Sequence, residues 1–173
     1  MPPRTLALRN RKCRESRGFV LALGIVYTAW EFARTRLKDD RRKTYGEKEA
    51  KAGLKARLPR LATFPNQFPG YEIKIEIPEF TSLCPKTGLP DFGLITILYV
   101  PKNSCLELKS LKDYILGYRN LGIFYENVVN RILEDVVRAC RPVRAAVTGE
   151  FNPRGGIKSV VEVRYPRSSQ PAE

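Results

Sequence analysis

The alternation Tyr71-Glu-Ile-Lys-Ile-Glu-Ile77 limits most strongly what this chain can fold into. Tyr71, Ile73, Ile75 and Ile77 fall on one side of an extended backbone and charged residues on the other, which predicts a half-buried strand. A second strand is predicted over residues 92–100, a run rich in β-branched and aromatic side chains. Helical spacing then takes over. A short helix is predicted from Ser110 to Arg119. A longer one runs from Tyr125 to Cys140, with Val129, Ile132, Leu133, Val136 and Cys140 on one face and Pro142 as its stop. Residues 144–151 and 157–165 read as a hairpin across Asn152-Pro-Arg-Gly-Gly156. The order strand, strand, helix, helix, strand, strand predicts an α+β fold (ββααββ): an antiparallel four-stranded sheet with two helices on one face.

A chain of 173 residues can bury one sizeable core, and 43% hydrophobic with 28% charged residues fits a globular protein. The net charge of +13 raises nucleic acid as a partner, but its distribution weakens that reading. Residues 1–43 hold 12 of the 31 Lys and Arg against only 4 of the 18 Asp and Glu. Most of the excess therefore belongs to an atypical N-terminal extension, leaving a modestly basic domain over residues 44–173. In the extension, Arg4, Arg9, Arg11, Lys12, Arg14 and Arg17 precede an apolar run from Gly18 to Trp30. That length suits the core of a signal peptide, without a convincing cleavage site after it. It falls short of the roughly 20 residues of a membrane span. One reading is an upstream extension or docked helix, the other a membrane or export segment. Lys38 to Lys43 reads as a solvated linker. No membrane partner and no direct nucleic-acid partner are expected of the domain, and the setting is cytoplasmic.

The chain contains no histidine, which excludes Ser-His and Cys-His mechanisms within one subunit. Acid–base work falls to Asp, Glu, Lys, Tyr or Cys. The cysteines Cys13, Cys84, Cys105 and Cys140 form no close pairs, so neither a structural zinc site nor a disulfide framework is expected. No metal site is expected at all.

Three constellations carry chemistry. In Glu79-Phe-Thr-Ser-Leu-Cys84-Pro-Lys-Thr-Gly-Leu-Pro-Asp91-Phe92, a thiol and a carboxylate stand seven residues apart in a Pro- and Gly-rich connection. Such a pair can serve covalent catalysis with proton delivery, although a cysteine is more often a small buried hydrophobe. Lys86 is a candidate cation for the thiol. The second is Cys105-Leu-Glu107-Leu-Lys109-Ser110-Leu-Lys112, where lysines three apart at a helix start suit phosphate groups. The bland alternative is a solvated helix start. The third, Tyr125-Glu126, opens the long helix. A carboxylate there either favours the helix dipole or grips an N–C–N edge such as that of guanine. No Gly-x-Gly-x-x-Gly follows a strand, so a Rossmann cofactor site is absent.

Together these segments resemble the NADPH-dependent 7-cyano-7-deazaguanine reductases, the nitrile reductases of queuosine biosynthesis (QueF family). The likeness runs from about Thr44 to Tyr165. It rests on Glu79-Phe-Thr-Ser-Leu-Cys84-Pro, Asp91-Phe92, Glu107-Leu-Lys-Ser-Leu-Lys112, Tyr118-Arg-Asn120, Phe124-Tyr-Glu126 and Phe151-x-Pro-Arg-Gly-Gly156. The resemblance implies a tunnelling fold, assembled as a homo-oligomer of stacked rings with sites between subunits. It implies that Cys84 attacks the nitrile carbon to give a thioimide, that Asp91 shuttles protons, and that two successive NADPH molecules supply hydride. By the same likeness Leu106, Glu107, Leu108, Tyr125 and Glu126 hold the deazaguanine base, while Lys109, Ser110 and Lys112 meet NADPH. Two positions depart from the family pattern. Tyr125 stands where members commonly carry His, and Leu108 where many carry Ser.

Two alternatives compete with a reductase of the free nitrile. The related amidine-forming enzymes of archaeosine synthesis act on the same nitrile in tRNA without NADPH, and the intact Lys109-Ser-Leu-Lys112 run speaks against that branch. A non-enzymatic basic RNA- or membrane-binding module would rest on the N-terminal arm alone.

Overall fold

The computed structural model of the chain describes residues 46–167, so the expectations for the 1–43 extension lie outside the described residues. In chain order the elements are α1 (Glu47–Ala50), β1 (Thr63–Pro65), β2 (Ile73–Leu83), β3 (Pro90–Val100), β4 (Ser104–Leu106), α2 (Leu108–Leu116), α3 (Tyr125–Cys140), β5 (Arg144–Arg154) and β6 (Ile157–Tyr165). The strands β2, β3, β5 and β6 form one antiparallel sheet in the order β2-β3-β5-β6. The sequence reading has no counterpart for the small antiparallel pair β1–β4, in which Phe64 faces Cys105. Three residues per strand are too few for periodicity to register.

One sheet face is buried. Ile95, Ile97 and Tyr99 of β3 and Ala145, Val147 and Phe151 of β5 point into a core shared with Val129, Ile132, Leu133 and Val136 of α3 and Leu111, Tyr114 and Ile115 of α2. The long helix lies on β5 and β6. Gly149 permits this approach: a Cβ there would stand 2.7 Å from Val129 Cγ2 and 2.9 Å from the Phe151 ring.

β2 is longer than the alternation suggests, and this determines where the site falls. A bulge between Ile77 and Phe80 interrupts the register with β3. Before it Ile73, Ile75 and Ile77 are the more buried residues; beyond it Phe80 and Ser82 are. One extra residue reverses which parity faces the core. Pro78 and Glu79 break the visible alternation, so residues 79–83 read as loop although they are strand. Asp91 likewise lies on β3, paired with Ser82, rather than in a connecting loop. Only the turn between Leu83 and Pro90 separates the two strands.

Local chemistry sets the end of α3 and the start of α2. α3 spans the predicted residues and ends at Arg141, which takes the left-handed conformation (φ 44°) just before Pro142. α2 starts two residues earlier than predicted because Glu107 caps it, its carboxylate accepting the amides of Lys109 and Ser110. Among the described residues no helix is long and apolar enough to cross a membrane.

Candidate active site

Cys84 stands at the first position after β2, where the turn to β3 begins. Its amide donates to the Leu89 carbonyl (2.9 Å) and its carbonyl accepts from Gly88 (2.8 Å), with Gly88 at φ 68°. That positive φ is costly for residues other than glycine. The turn also presents donors to sulfur. Partial burial pushes the thiol up, but hydrogen bonds from the Thr87 hydroxyl and from the amides of Thr87 and Lys86 outweigh it. The Asp91 charge also opposes them, and the net effect holds the thiol below its ordinary value. Lys86 therefore assists Cys84 through its backbone amide.

Asp91 is only 3% exposed. Its Oδ1 accepts from the Tyr125 hydroxyl (2.6 Å) and pairs with the Arg154 guanidinium (2.8 Å). Three elements converge here. β3 supplies the carboxylate. The start of α3 supplies Tyr125, carried in because Leu83 exchanges backbone hydrogen bonds with Leu121 (3.0 Å) and Ile123 (3.1 Å). The β5–β6 hairpin supplies Arg154, which also donates to the Pro90 carbonyl. Tyr125 stacks on Phe151 of β5 with ring centroids 3.8 Å apart and planes 8° from parallel. Burial, then the bond to Asp91, pushes its phenol up to about 12. Tyr125 is thus a neutral donor aimed at Asp91. Arg154 belongs to the Phe151-x-Pro-Arg-Gly-Gly156 motif, but sequence spacing gives no sign that it reaches a carboxylate 63 positions upstream.

The remaining candidates fall into two places. Glu126 follows Tyr125 on α3 and is exposed, and its carboxylate makes no hydrogen bond among the described residues. The segment 106–112 starts α2. Leu106 is buried, with its amide donating to the Tyr99 hydroxyl (3.0 Å), whereas Leu108 is 62% exposed. The Glu107 carboxylate is held by the amides of Ser110 (2.7 Å) and Lys109 (2.8 Å), which lower it from its ordinary range. The Ser110 hydroxyl donates to the Glu107 carbonyl (2.8 Å) and accepts from Ala62 (2.9 Å). Both side chains thus build the helix start. Lys109 and Lys112 are exposed and make no ion pair among the described residues. Leu108 and Lys112 line a groove of about 340 Å³ whose other wall is Ile75 to Glu79 of β2. Cys84, Asp91 and Tyr125 do not line it. Within one chain the thiol–carboxylate cluster and the lysine-bearing helix start are therefore separate surfaces.

Comparison with known proteins follows this geometry. The family profile described as QueF-like protein matches residues 90–170. The NADPH-dependent 7-cyano-7-deazaguanine reductase of Elusimicrobium minutum is 57% identical over 122 residues, covering 70% of this chain and 92% of the relative. The protein of that name from Chlorobaculum tepidum is 58% identical over 112 residues, covering 64% of this chain and 96% of the relative. Among solved structures, the apo form of the archaeosine synthase QueF-Like superposes with a TM-score of 0.51 at 22% identity, covering 54% of this chain and 91% of that one. This last likeness bears on the fold alone. The extent and identity of the sequence matches decide the relationship: the chain belongs to the family of the NADPH-dependent 7-cyano-7-deazaguanine reductases.

Proposed function

We propose that this chain reduces the nitrile of 7-cyano-7-deazaguanine to the aminomethyl product, using two NADPH, as a step of tRNA queuosine biosynthesis. The observation that carries this reading is a thiol held below its ordinary value beside a buried carboxylate, in a family whose named members act on that nitrile. A nitrile carbon is electrophilic, and a thiolate is the nucleophile suited to it. Cys84 Sγ adds to that carbon, the released π pair passes to nitrogen, and Asp91 delivers the proton that completes the thioimide. Tyr125 and Arg154 fix the carboxylate by holding Oδ1, which leaves Oδ2 for proton transfer. NADPH supplies, when bound, the hydride for each of two rounds of reduction. In the first round Asp91 again protonates nitrogen, and Cys84 departs as thiolate.

Lys109 and Lys112 fit the phosphate groups of that cofactor because they are exposed cations without ion-pair partners among the described residues. The α2 amides they flank are already taken by Glu107, so the side chains rather than the helix end would hold the phosphates. Glu126, with its uncommitted carboxylate, suits the paired N–H donors of the base. Leu106, Glu107 and Leu108 would line the base from the other surface, with Glu107 shaping backbone rather than offering its carboxylate. Since the two surfaces are separate in one chain, a second copy would complete each site. This agrees with a tunnelling fold assembled as a homo-oligomer.

The test is purified full-length protein with NADPH and the nitrile. Nicotinamide absorbance should fall with nitrile present and stay constant without it; no loss would overturn the reading. Replacing Cys84 with Ala should abolish turnover. If ammonia and nitrile-bearing tRNA were instead converted to an amidine without NADPH, the chain would belong with the archaeosine-forming activity.

A further inference from the structure

Arg131 lies on α3, six residues after Tyr125, and its side chain is only 13% exposed. A guanidinium this buried needs partners. It finds them in the irregular segment before β1. Nη1 donates to the Gly53 carbonyl and Nη2 to the Ala56 carbonyl, while Nε faces Asp135 at 3.7 Å. Asn127, one turn nearer the helix start, donates to the Ala50 carbonyl (2.7 Å). The helix therefore ties down residues 50–56 at three carbonyls.

That segment presses on the backing of the nucleophile. Gly53, at φ 76°, packs so closely that a Cβ there would stand 2.7 Å from Ile123 Cβ and 2.8 Å from the Gly122 carbonyl oxygen. Gly122 in turn lies against Pro85, where a Cβ would stand 3.6 Å from Pro85 Cα. Its neighbours Leu121 and Ile123 hold both backbone groups of Leu83. Leu83 and Pro85 flank Cys84. Three layers thus follow one another: residues 50–56, residues 121–123, and the peptides on either side of the thiol. The same helix reaches Asp91 directly through Tyr125 (2.6 Å). Both reacting side chains are located from α3, the acid by one contact and the thiol by a chain of them.

From this arrangement we infer that Arg131 is a positioning residue: by clamping residues 53–56 onto residues 121–123, it fixes where the Cys84 sulfur stands relative to Asp91. The inference rests on the proposed roles of Cys84 and Asp91. The clamp does not touch the groups that govern the thiol itself. Cys84 closes its turn within residues 84–89, and the donors to its sulfur are Thr87 and the Lys86 amide. Losing Arg131 should therefore change the placement of the thiol and leave its intrinsic reactivity.

The experiment compares full-length wild type with Arg131→Met, which keeps an apolar stem and removes every donor. Wild type must first oxidise NADPH with the nitrile and form the Cys84 adduct; failure there would count against the proposed mechanism rather than against Arg131. Two rates are then measured at a temperature where melting curves show both proteins folded. One is alkylation of Cys84 by iodoacetamide. The other is formation of the adduct with 7-cyano-7-deazaguanine in the absence of NADPH, read by quenched-flow mass spectrometry. Adduct formation in Arg131→Met should slow about tenfold, since a misplacement of about 1 Å can cost roughly 100-fold, while alkylation stays within about twofold. Adduct formation at the wild-type rate, or both rates falling together, would overturn the inference. Should Arg131→Met lack a cooperative thermal transition, Asn127→Ala, which removes only the tie to Ala50, replaces it. Adduct formation should then slow about threefold, the loss of one weaker tie, with alkylation unchanged, and the same two outcomes would overturn the inference.

Discussion

At the scale of single residues, activation of Cys84 without histidine comes down to Thr87. Its hydroxyl and amide, with the Lys86 amide, offset the burial and the nearby Asp91 charge that oppose ionisation. Thr87→Val keeps the shape and removes the hydroxyl donor. The midpoint of the pH dependence of Cys84 alkylation by iodoacetamide should then move upward, and alkylation at fixed neutral pH should slow. An unchanged midpoint would mean that the amides suffice. Tyr125 has a separable role. Tyr125→Phe preserves the stack on Phe151 but deletes the 2.6 Å donor to Asp91. Such a loss should lower kcat by about one to two orders of magnitude, the worth of one hydrogen bond to a charged group, with stability little changed by thermal melt. The sequence identified Cys84, Asp91 and Tyr125 as candidates. It could not show that Tyr125 and Asp91 touch, because their contact depends on Leu83 binding the segment before α3.

At the scale of elements, α3 and the β5–β6 hairpin were legible because 3.6-residue spacing persists over four turns and two glycines mark the reversal. The second half of β2 was not legible. Its bulge reverses the inward parity, so Phe80 and Ser82 look out of phase with Ile73, Ile75 and Ile77 although all five face the same side. The family resemblance implies Glu107 as a ligand for the base; its carboxylate also caps α2, a role the sequence gives little sign of because Asp, Asn, Ser and Thr are the commoner caps. Packing between elements also reaches the site. Gly149→Ala would place a Cβ against Val129 and the Phe151 ring. We expect a loss of about 1–3 kcal/mol in chemical denaturation, typical of overpacking. A fall in activity larger than the loss of folded protein should accompany it, since Phe151 supports Tyr125. Unchanged stability would show that the helix can shift away at no cost.

At the scale of the whole molecule, one chain carries two separate surfaces: the thiol–carboxylate cluster at the end of β2, and the lysine-bearing start of α2. If sites form between subunits, Cys84→Ala chains and Lys109→Ala/Lys112→Ala chains should each be inactive alone. Co-refolded, they should regain activity, since some interfaces then unite an intact thiol with intact lysines. No recovery despite demonstrated mixed assemblies would place each site within one chain. The positive charge concentrated in residues 1–43 is a separate matter: deleting those residues should leave nitrile-dependent NADPH oxidation intact. The central claim is that Cys84 forms a covalent bond to the nitrile, and mass spectrometry tests it most directly. Full-length protein incubated with 7-cyano-7-deazaguanine in the absence of NADPH should gain the mass of one intact nitrile per chain, mapped to the peptide containing Cys84. An unchanged mass under conditions that support turnover, or an adduct on Cys13, Cys105 or Cys140 instead, would contradict it.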